Sequence, residues 1–430
     1  MKKILCATTA LVAAGLAAGQ ASADSGGIKL GISGYYRGSA GLLIGGDQTP
    51  VAVHGSSRTV GGILVPTTKI GGLGDFGRTS GGFRQEIRIN FKGETTLDNG
   101  ITVGVLVGLN PGSGGAAGSV LNRAYANFSG KYGDVRFGTG SPLDALAQTC
   151  VYDPGNVTSN FGVNSANQDF TNAGLGALSG VGATVGVATF ETAAATCATF
   201  TQKGTGIAYF SPSFGGFTFA VSFTPEGATR NSSGSQGIGS GTDLKNKRAE
   251  NILTAGADFN HDFGGGFTLL VGGGGQWAFT GHTAAGSSLT HNKASMYSLG
   301  FQVGIPGGFT AGASGAYYVN YPNNGSNFAA TDAGTSGADG WVGAAGVSYT
   351  IDAVSVGLEG IYGRYDVHTN TAHDVVWGVG LTGAYALGPG INLEGQVAYT
   401  KYSPGTGTPS STNPMSYDAV EVDAGVAINF

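Results

Sequence analysis

Polar and apolar residues alternate along most of the segment "FRQEIRINFKG" at 83–93. Arg84, Glu86 and Arg88 fall on one parity, whereas Ile87 and Ile89 fall on the other. Because successive side chains of a strand point to opposite faces, this segment predicts a strand with one wet and one dry face. A soluble sandwich would pack the dry face against a second sheet, whereas an outer-membrane barrel would turn it toward lipid and line a lumen with the charges.

The same alternation recurs along the chain and predicts sixteen strands between residue 28 and the C-terminus. Short turns, such as "DNG" at 98–100, alternate with longer connections, and the longest of these is 141–202. A soluble sandwich has no reason for such an asymmetry, but an outer-membrane barrel has short periplasmic turns, long external loops and an even strand count. The pattern therefore predicts an all-β protein, a transmembrane antiparallel β-barrel of 16 strands.

The composition agrees with a wall that faces hydrocarbon. Charged residues make up 11% of the chain and glycine 81 of 430 residues, whereas soluble proteins average about a quarter charged residues. After the first 23 residues no apolar stretch has the length of a membrane-spanning helix. Since only helices and closed barrels satisfy the backbone inside lipid, the barrel is the favoured membrane-spanning structure.

The N-terminal segment 1–23 has the layout of a secretory signal peptide, with Lys2 and Lys3, an apolar run and a small-residue cleavage site ending at Ala23. We expect its removal to leave residues 24–430 as a single barrel domain. Loss of the two lysines takes the net charge from −5 to −7. This acidic balance gives no support for nucleic-acid binding.

Two cysteines, Cys150 and Cys197, remain after that cleavage. In an exported protein a disulfide is the default interpretation, and closing a loop of this length contributes about 4 kcal/mol in the chain-entropy model. The alternative is a pair of unpaired thiols in a loop.

Several segments resemble those of a known family. The terminal "EVDAGVAINF" resembles the C-terminal assembly signal of Gram-negative outer-membrane barrels, with Val422, Val426, Ile428 and Phe430 at alternating positions. "RINFKGETTLDNGITVGV" resembles the second and third strands of the trimeric general porins. "FSGKYGDVRFGTG" and "YFSPSFGGFTFAVSF" resemble the strand pair that enters their constricting third loop and the hairpin that leaves it. The chain thus resembles the Gram-negative porin family, of the kind seen in alphaproteobacteria.

The resemblance implies a homotrimer in the outer membrane, in contact with lipid and lipopolysaccharide and inserted by the barrel assembly machinery. It also implies that the third loop, 141–202, folds into the lumen and narrows a water-filled channel for passive diffusion of small hydrophilic solutes and ions. Basic side chains on the wall would face acidic ones on that loop. At about 62 residues the loop is long for this role, which leaves open a narrower pore than is usual in the family.

Five arginines on the first five predicted strands have the parity of the wet face, where they would give a lumen a positive local potential. The candidate acidic partners on the third loop would set up a transverse field across the constriction. The alternatives are solvated arginines in a wide vestibule, wall salt bridges, and loop carboxylates that are merely solvated or cap turns. The candidates are Arg37, Arg84, Arg88, Arg123 and Arg136 on the wall, and Asp144, Asp153 and Asp169 on the loop.

Enzymatic and cofactor chemistry find no support in the sequence. The six histidines do not lie at metal-ligand spacing with cysteine or carboxylate clusters, and no G-x-S-x-G elbow occurs. "GGGG" at 272–275 lies within a predicted strand with no helix after it, which favours close packing, with the inserted loop as one candidate partner, over a phosphate cradle. We therefore expect no metal, no cofactor and no enzyme.

Two other functions remain open at this point. One is a solute-specific channel for a sugar or an anion, although the inward-parity tyrosines are too scattered to form a sugar ladder. The other is a plugged barrel that serves as a structural or adhesive surface protein, which the long third loop would permit.

Overall fold

The computed structural model describes residues 27–44, 58–60, 63–65, 81–111, 121–140, 145–146, 148–151, 154–159, 161–162, 204–226, 250–278, 293–321, 338–366, 373–403 and 417–430. The predicted signal peptide, 1–23, lies outside these residues. Within these ranges no helix is long and apolar enough to cross a membrane.

Alternating sequence segments form strands throughout the described chain. The first nine are β1 (Lys29–Ile44), β2 (Arg58–Val60), β3 (Ile63–Val65), β4 (Gly81–Thr96), β5 (Thr102–Leu109), β6 (Leu121–Gly130), β7 (Gly133–Thr139), β8 (Thr205–Phe210) and β9 (Phe217–Glu226). The remaining nine are β10 (Glu250–Gly264), β11 (Phe267–Ala278), β12 (Ala294–Ile305), β13 (Phe309–Tyr321), β14 (Ala338–Ile351), β15 (Val354–Asp366), β16 (Asp374–Gly388), β17 (Ile391–Ser403) and β18 (Tyr417–Asn429).

Sixteen of these described strands close into one antiparallel barrel, as the alternation predicted. Each barrel strand pairs with its neighbours in sequence, and β1 closes the ring by pairing with both β4 and β18. β2 and β3 were not predicted from the sequence, and they form a separate two-stranded sheet in the connection between β1 and β4. Strands of three residues are too short for a periodicity to be recognised.

The short connections join consecutive strands as hairpins. At 98–100 the backbone N–H of Gly100 donates to the carbonyl of Leu97 at 2.9 Å. Gly100 has a φ of 81°, a left-handed conformation that a glycine adopts without steric cost. This confirms the hairpin predicted from "DNG". Because consecutive barrel strands are antiparallel, the strand ends joined by short turns lie at one end of the barrel and those joined by long connections lie at the other.

The dry faces predicted from the sequence form the outer wall. On β4 the exposed Phe83 and Phe91 share one face, and the charged residues share the other. Aromatic pairs occur near both ends of the outer wall, which is typical of a barrel whose belts lie at two membrane interfaces. The pairs include Trp277–Tyr297, Trp341–Tyr362 and Trp377–Tyr399 toward the long connections, and Phe309–Tyr349 toward the short turns.

Candidate functional site

Basic side chains gather on the inner face where β1 and β4 pair. The strand register places Arg37 opposite Glu86 and Tyr35 opposite Arg88. Arg84 lies two residues before Glu86 on β4. This antiparallel pairing brings together side chains that are about fifty residues apart in the sequence.

Glu86 lies at the centre of this group. Its Oε2 is 3.8 Å from Nη1 of Arg37 and 3.7 Å from Nη2 of Arg84, and its Oε1 is 3.9 Å from Nη2 of Arg88. These separations exceed the 2.7–3.2 Å of a good N–H···O hydrogen bond, so one carboxylate is shared electrostatically by three guanidinium groups. The hydroxyl of Tyr35 donates a hydrogen bond to Oε1 of the same carboxylate.

Tyr35 also orders the arginines. The guanidinium carbons of Arg37 and Arg88 lie 4.3 Å and 5.0 Å from the centre of its ring, within the range of cation–π attraction. Arg88 is held further by Asn110, whose Oδ1 accepts a hydrogen bond from Nε at 3.3 Å. The guanidinium groups are thus oriented by neutral partners as well as by Glu86.

Arg123 extends this group from β6. It is paired in register with Gly108 of β5, and a side chain at Gly108 would collide with Oδ1 of Asn90, at 2.8 Å from its Cβ. Gly108 leaves room for the Asn90 side chain on the inner face, and Arg123 lies close enough to Arg88 for the two positive charges to repel each other. We call Arg37, Arg84, Arg88 and Arg123 the arginine wall.

The structure separates Arg136 from the arginine wall. Arg136 is three residues from the start of β7, near the short-turn end, and its Nε donates to Oδ2 of Asp134 at 2.6 Å. Its guanidinium carbon lies 4.1 Å from the centre of the Phe210 ring. Arg136 thus forms a salt bridge on the barrel wall, one of the alternatives left open by the sequence, and its part in the pore stays a prediction.

The described part of the third loop follows the inner wall. We call residues 145–162, as far as they are described, the loop segment. Its contacts proceed in strand order around ten successive strands, from β8 to β17. At its start, Ala145 packs with Ala208, Phe210 and Ala220 of β8 and β9, and Leu146 and Thr149 approach β10 and β11. In the middle, Val151 approaches β12, Pro154 approaches β13 and β14, and Gly155 approaches β14 and β15. At its end, Val157 forms a hydrogen bond with β16 and Ser159 forms hydrogen bonds with β17.

A track of glycines makes this close approach possible. A Cβ at Gly256 would lie 2.0 Å from Oγ1 of Thr149, and a Cβ at Gly357 would lie 2.0 Å from the carbonyl oxygen of Gly155. Two glycines of the "GGGG" segment, Gly272 and Gly274, meet the loop segment in the same way, which confirms close packing there. The glycine track comprises Gly256, Gly272, Gly274, Gly300, Gly312, Gly346 and Gly357.

Hydrogen bonds hold the far end of the loop segment. Ser159 donates to Oε1 of Glu394 from both its backbone N–H, at 3.1 Å, and its hydroxyl, at 2.8 Å. Glu394 is 5% exposed, and Glu359, beside Gly162, is 3% exposed. These carboxylates lie beneath the loop segment, not on the open surface of the lumen.

Removal of the Ser159 hydroxyl is predicted to loosen the loop segment. A hydrogen bond to a charged acceptor contributes about 1.5–3 kcal/mol, so Ser159→Ala should increase open-channel current noise. Single-channel recording at constant voltage measures this. The matched control is Ser355→Ala, which removes a hydroxyl bonded at 2.8 Å to Thr350 near a short turn. Equal noise in both variants would contradict a role for Ser159 in holding the loop.

Comparison with known proteins identifies the family of this arrangement. A sequence profile of the Gram-negative porin family matches residues 7–405. The chain belongs to the Gram-negative porin family. It is accordingly a non-enzymatic channel of the outer membrane for passive diffusion, and porins of this family are typically trimeric. A comparison with curated protein sequences gives no significant match.

Solved structures share the porin fold. The outer membrane channel DcaP of Acinetobacter baumannii has a TM-score of 0.58 at 12% identity, with 94% of this chain and 98% of that chain covered. The anion-selective porin from Comamonas acidovorans and the trimer form of OmpT from Vibrio cholerae each have a TM-score of 0.51 at 12% identity, with 94% of this porin and 100% of the other chain covered. At these identities the likeness concerns the fold.

The acidic loop residues proposed from the sequence, Asp144, Asp153 and Asp169, lie outside the described part of the porin. Cys150 forms a disulfide and its Sγ accepts a hydrogen bond from Oγ of Ser298 at 3.2 Å. Cys197 is outside the described residues, so this pairing stays a prediction.

The four residues of the predicted assembly signal, Val422, Val426, Ile428 and Phe430, lie on the outer face of the closing strand β18 and just beyond its end. The backbone of Phe430 exchanges two hydrogen bonds with Gly34 of β1, at 2.8 and 3.0 Å. Their role in assembly stays a prediction.

Three features of this porin were not predicted from the sequence: the role of Glu86 as a counter-ion shared by three arginines, the contacts of Tyr35, and the hydrogen bonds from Ser159 to Glu394. The spacing Arg84–Glu86–Arg88 placed the carboxylate between two arginines on one face. The contribution of β1 was not visible because it depends on the strand register, and the bond to Glu394 spans 235 positions.

Proposed function

We propose that this porin favours the diffusion of small hydrophilic anions through a constriction between the arginine wall and the loop segment. The observation that carries the proposal is their arrangement in the ring. β12, under the middle of the loop segment, is eight strands away from β4 in either direction. The two surfaces therefore lie on opposite sides of the barrel.

The charges of the arginine wall support a preference for anions. The four guanidinium groups of the arginine wall and the carboxylate of Glu86 together give a net charge of +3. On the opposite side, Glu359 and Glu394 are covered by the loop segment. A local positive potential in a narrow aqueous passage raises the concentration of anions there. Surface charges farther away are screened beyond about 8–10 Å at physiological salt.

The quaternary structure belongs to the same proposal. We propose a homotrimer of barrels, in keeping with the typical state of the family. We also propose that residues 1–23 are removed on export and that Cys150 pairs with Cys197, which would tie the loop segment to the later part of the third loop.

Single-channel recording in a planar bilayer tests this function. For the detergent-purified wild-type porin we expect conductance steps in groups of three and, under a salt gradient, a reversal potential of the sign given by anion preference. A reversal of the opposite sign would show that carboxylates dominate the constriction and would overturn the selectivity proposal. Folded trimers that give no steps would overturn the open channel and favour a plugged barrel with a structural role.

A further inference from the structure

Glu86 has an unusual place among the ionic groups of the inner wall. On the same face of β4, Glu94 forms an ion pair with Lys92 at 2.6 Å, and on β7 Asp134 forms an ion pair with Arg136 at the same distance. Glu86 instead faces three arginines at 3.7–3.9 Å and accepts a hydrogen bond from Tyr35. Its surroundings are those of an anion in a binding site, since several donors converge on one carboxylate from two strands.

We propose that Tyr35, Arg37, Arg84 and Arg88 form an oxyanion-binding site, and that the Glu86 carboxylate fills it as a tethered ligand. This inference rests on the proposed function of the arginine wall as part of the pore. The site would take a divalent oxyanion, because the three guanidinium groups carry three positive charges against the single negative charge of Glu86. A planar guanidinium group can donate hydrogen bonds to two oxygens of a planar or tetrahedral oxyanion at once. Such charge-assisted hydrogen bonds are strong.

The tethered carboxylate has a consequence for transport. A permeating anion at this site competes with Glu86, which is always present at short range, so the anion is held weakly and leaves quickly. Conduction requires binding that is favourable enough for entry and weak enough for exit. Glu86 is thus a residue that determines specificity by limiting the residence of divalent anions on the arginine wall.

The test compares sulfate inhibition of the chloride current in wild-type trimers and in three variants. Glu86→Gln keeps the shape of the side chain and removes its charge, so sulfate should inhibit the current at a concentration about tenfold lower than in wild type. Glu86→Asp keeps the charge on a side chain one methylene shorter, so its sulfate sensitivity should lie between those of the wild type and Glu86→Gln. Glu94→Gln adds the same net positive charge to the same face of β4, at an ion pair outside the arginine wall, and should leave sulfate inhibition unchanged.

The outcomes separate this inference from the proposed function. A wild-type sulfate response in Glu86→Gln, in trimers that keep their resistance to mild SDS, would overturn the tethered-ligand proposal. Equal sensitisation by Glu94→Gln would also overturn it, because the effect would then follow from the charge of the wall in general. A wild-type reversal potential of the sign given by cation preference would instead overturn the proposed function itself.

Discussion

Replacement of Arg84 and Arg88 together by glutamine is expected to lower the ratio of anion to cation permeability by about tenfold. The change leaves the arginine wall with Arg37, Arg123 and the carboxylate of Glu86, so its net charge falls from +3 to +1. Both side chains are partly buried on the inner face, where their charges are screened less than on an open surface. The reversal potential under a salt gradient, measured on single trimers, reports the shift toward cations.

A matched double variant controls for the loss of two positive charges. Lys92→Gln with Arg136→Gln removes a lysine and an arginine from the same side of the lumen, but each of these forms an ion pair with a carboxylate at 2.6 Å and lies outside the arginine wall. We expect a clearly smaller shift of the reversal potential. If the two double variants shift it equally, the arginine wall has no special place in selectivity.

Introduction of a side chain into the glycine track should displace the loop segment into the lumen. In Gly357→Val the new Cβ would lie 2.0 Å from the carbonyl oxygen of Gly155 and 2.8 Å from Oγ1 of Thr382. The closer obstacle is backbone, so a change of side-chain rotamer cannot relieve the collision, and overpacking of this kind costs about 1–3 kcal/mol. We expect the barrel to close normally and the single-channel conductance to fall to about half or less, because the passage toward the arginine wall becomes narrower.

Gly360→Val is the control for this prediction. Gly360 lies on the outer face of the same strand, and the nearest atom to its built Cβ is the carbonyl oxygen of Gly378 at 3.6 Å. This valine should leave conductance and the thermal stability of the trimer close to wild type. Normal conductance in Gly357→Val would mean that the loop segment does not rest on the glycine track in the membrane.

The strand pattern of this porin could be predicted from its local sequence. Sixteen barrel strands, their alternating faces and the asymmetry between short turns and long connections follow from a period of two and from turn residues such as Gly100. These features depend on interactions between near neighbours, and lipid on one side makes the dry face almost uniformly apolar. For the same reason the inward direction of Arg84 and Arg88 was predicted correctly, whereas β2 and β3 were too short to be found.

The candidate functional site could be predicted only in part from the sequence. The parity of Arg136 matched that of the other arginines, yet Asp134 and Phe210 hold it near the short turns, because parity fixes the face of a strand and not the height along the barrel. The glycines at 272–275 were predicted to allow close packing, but the residues that approach them, Leu146 and Thr149, became known only from the folded chain.

Consecutive residues of each strand already specify an antiparallel barrel with a charged interior and an apolar exterior. Only the tertiary structure decided which interior groups meet. The register of β1 against β4 gathers three arginines and Tyr35 around Glu86, and the course of the loop segment covers Glu359 and Glu394. Such contacts join residues far apart in the chain, and they are fixed by the closure of the barrel and by the space that glycines leave on its inner wall.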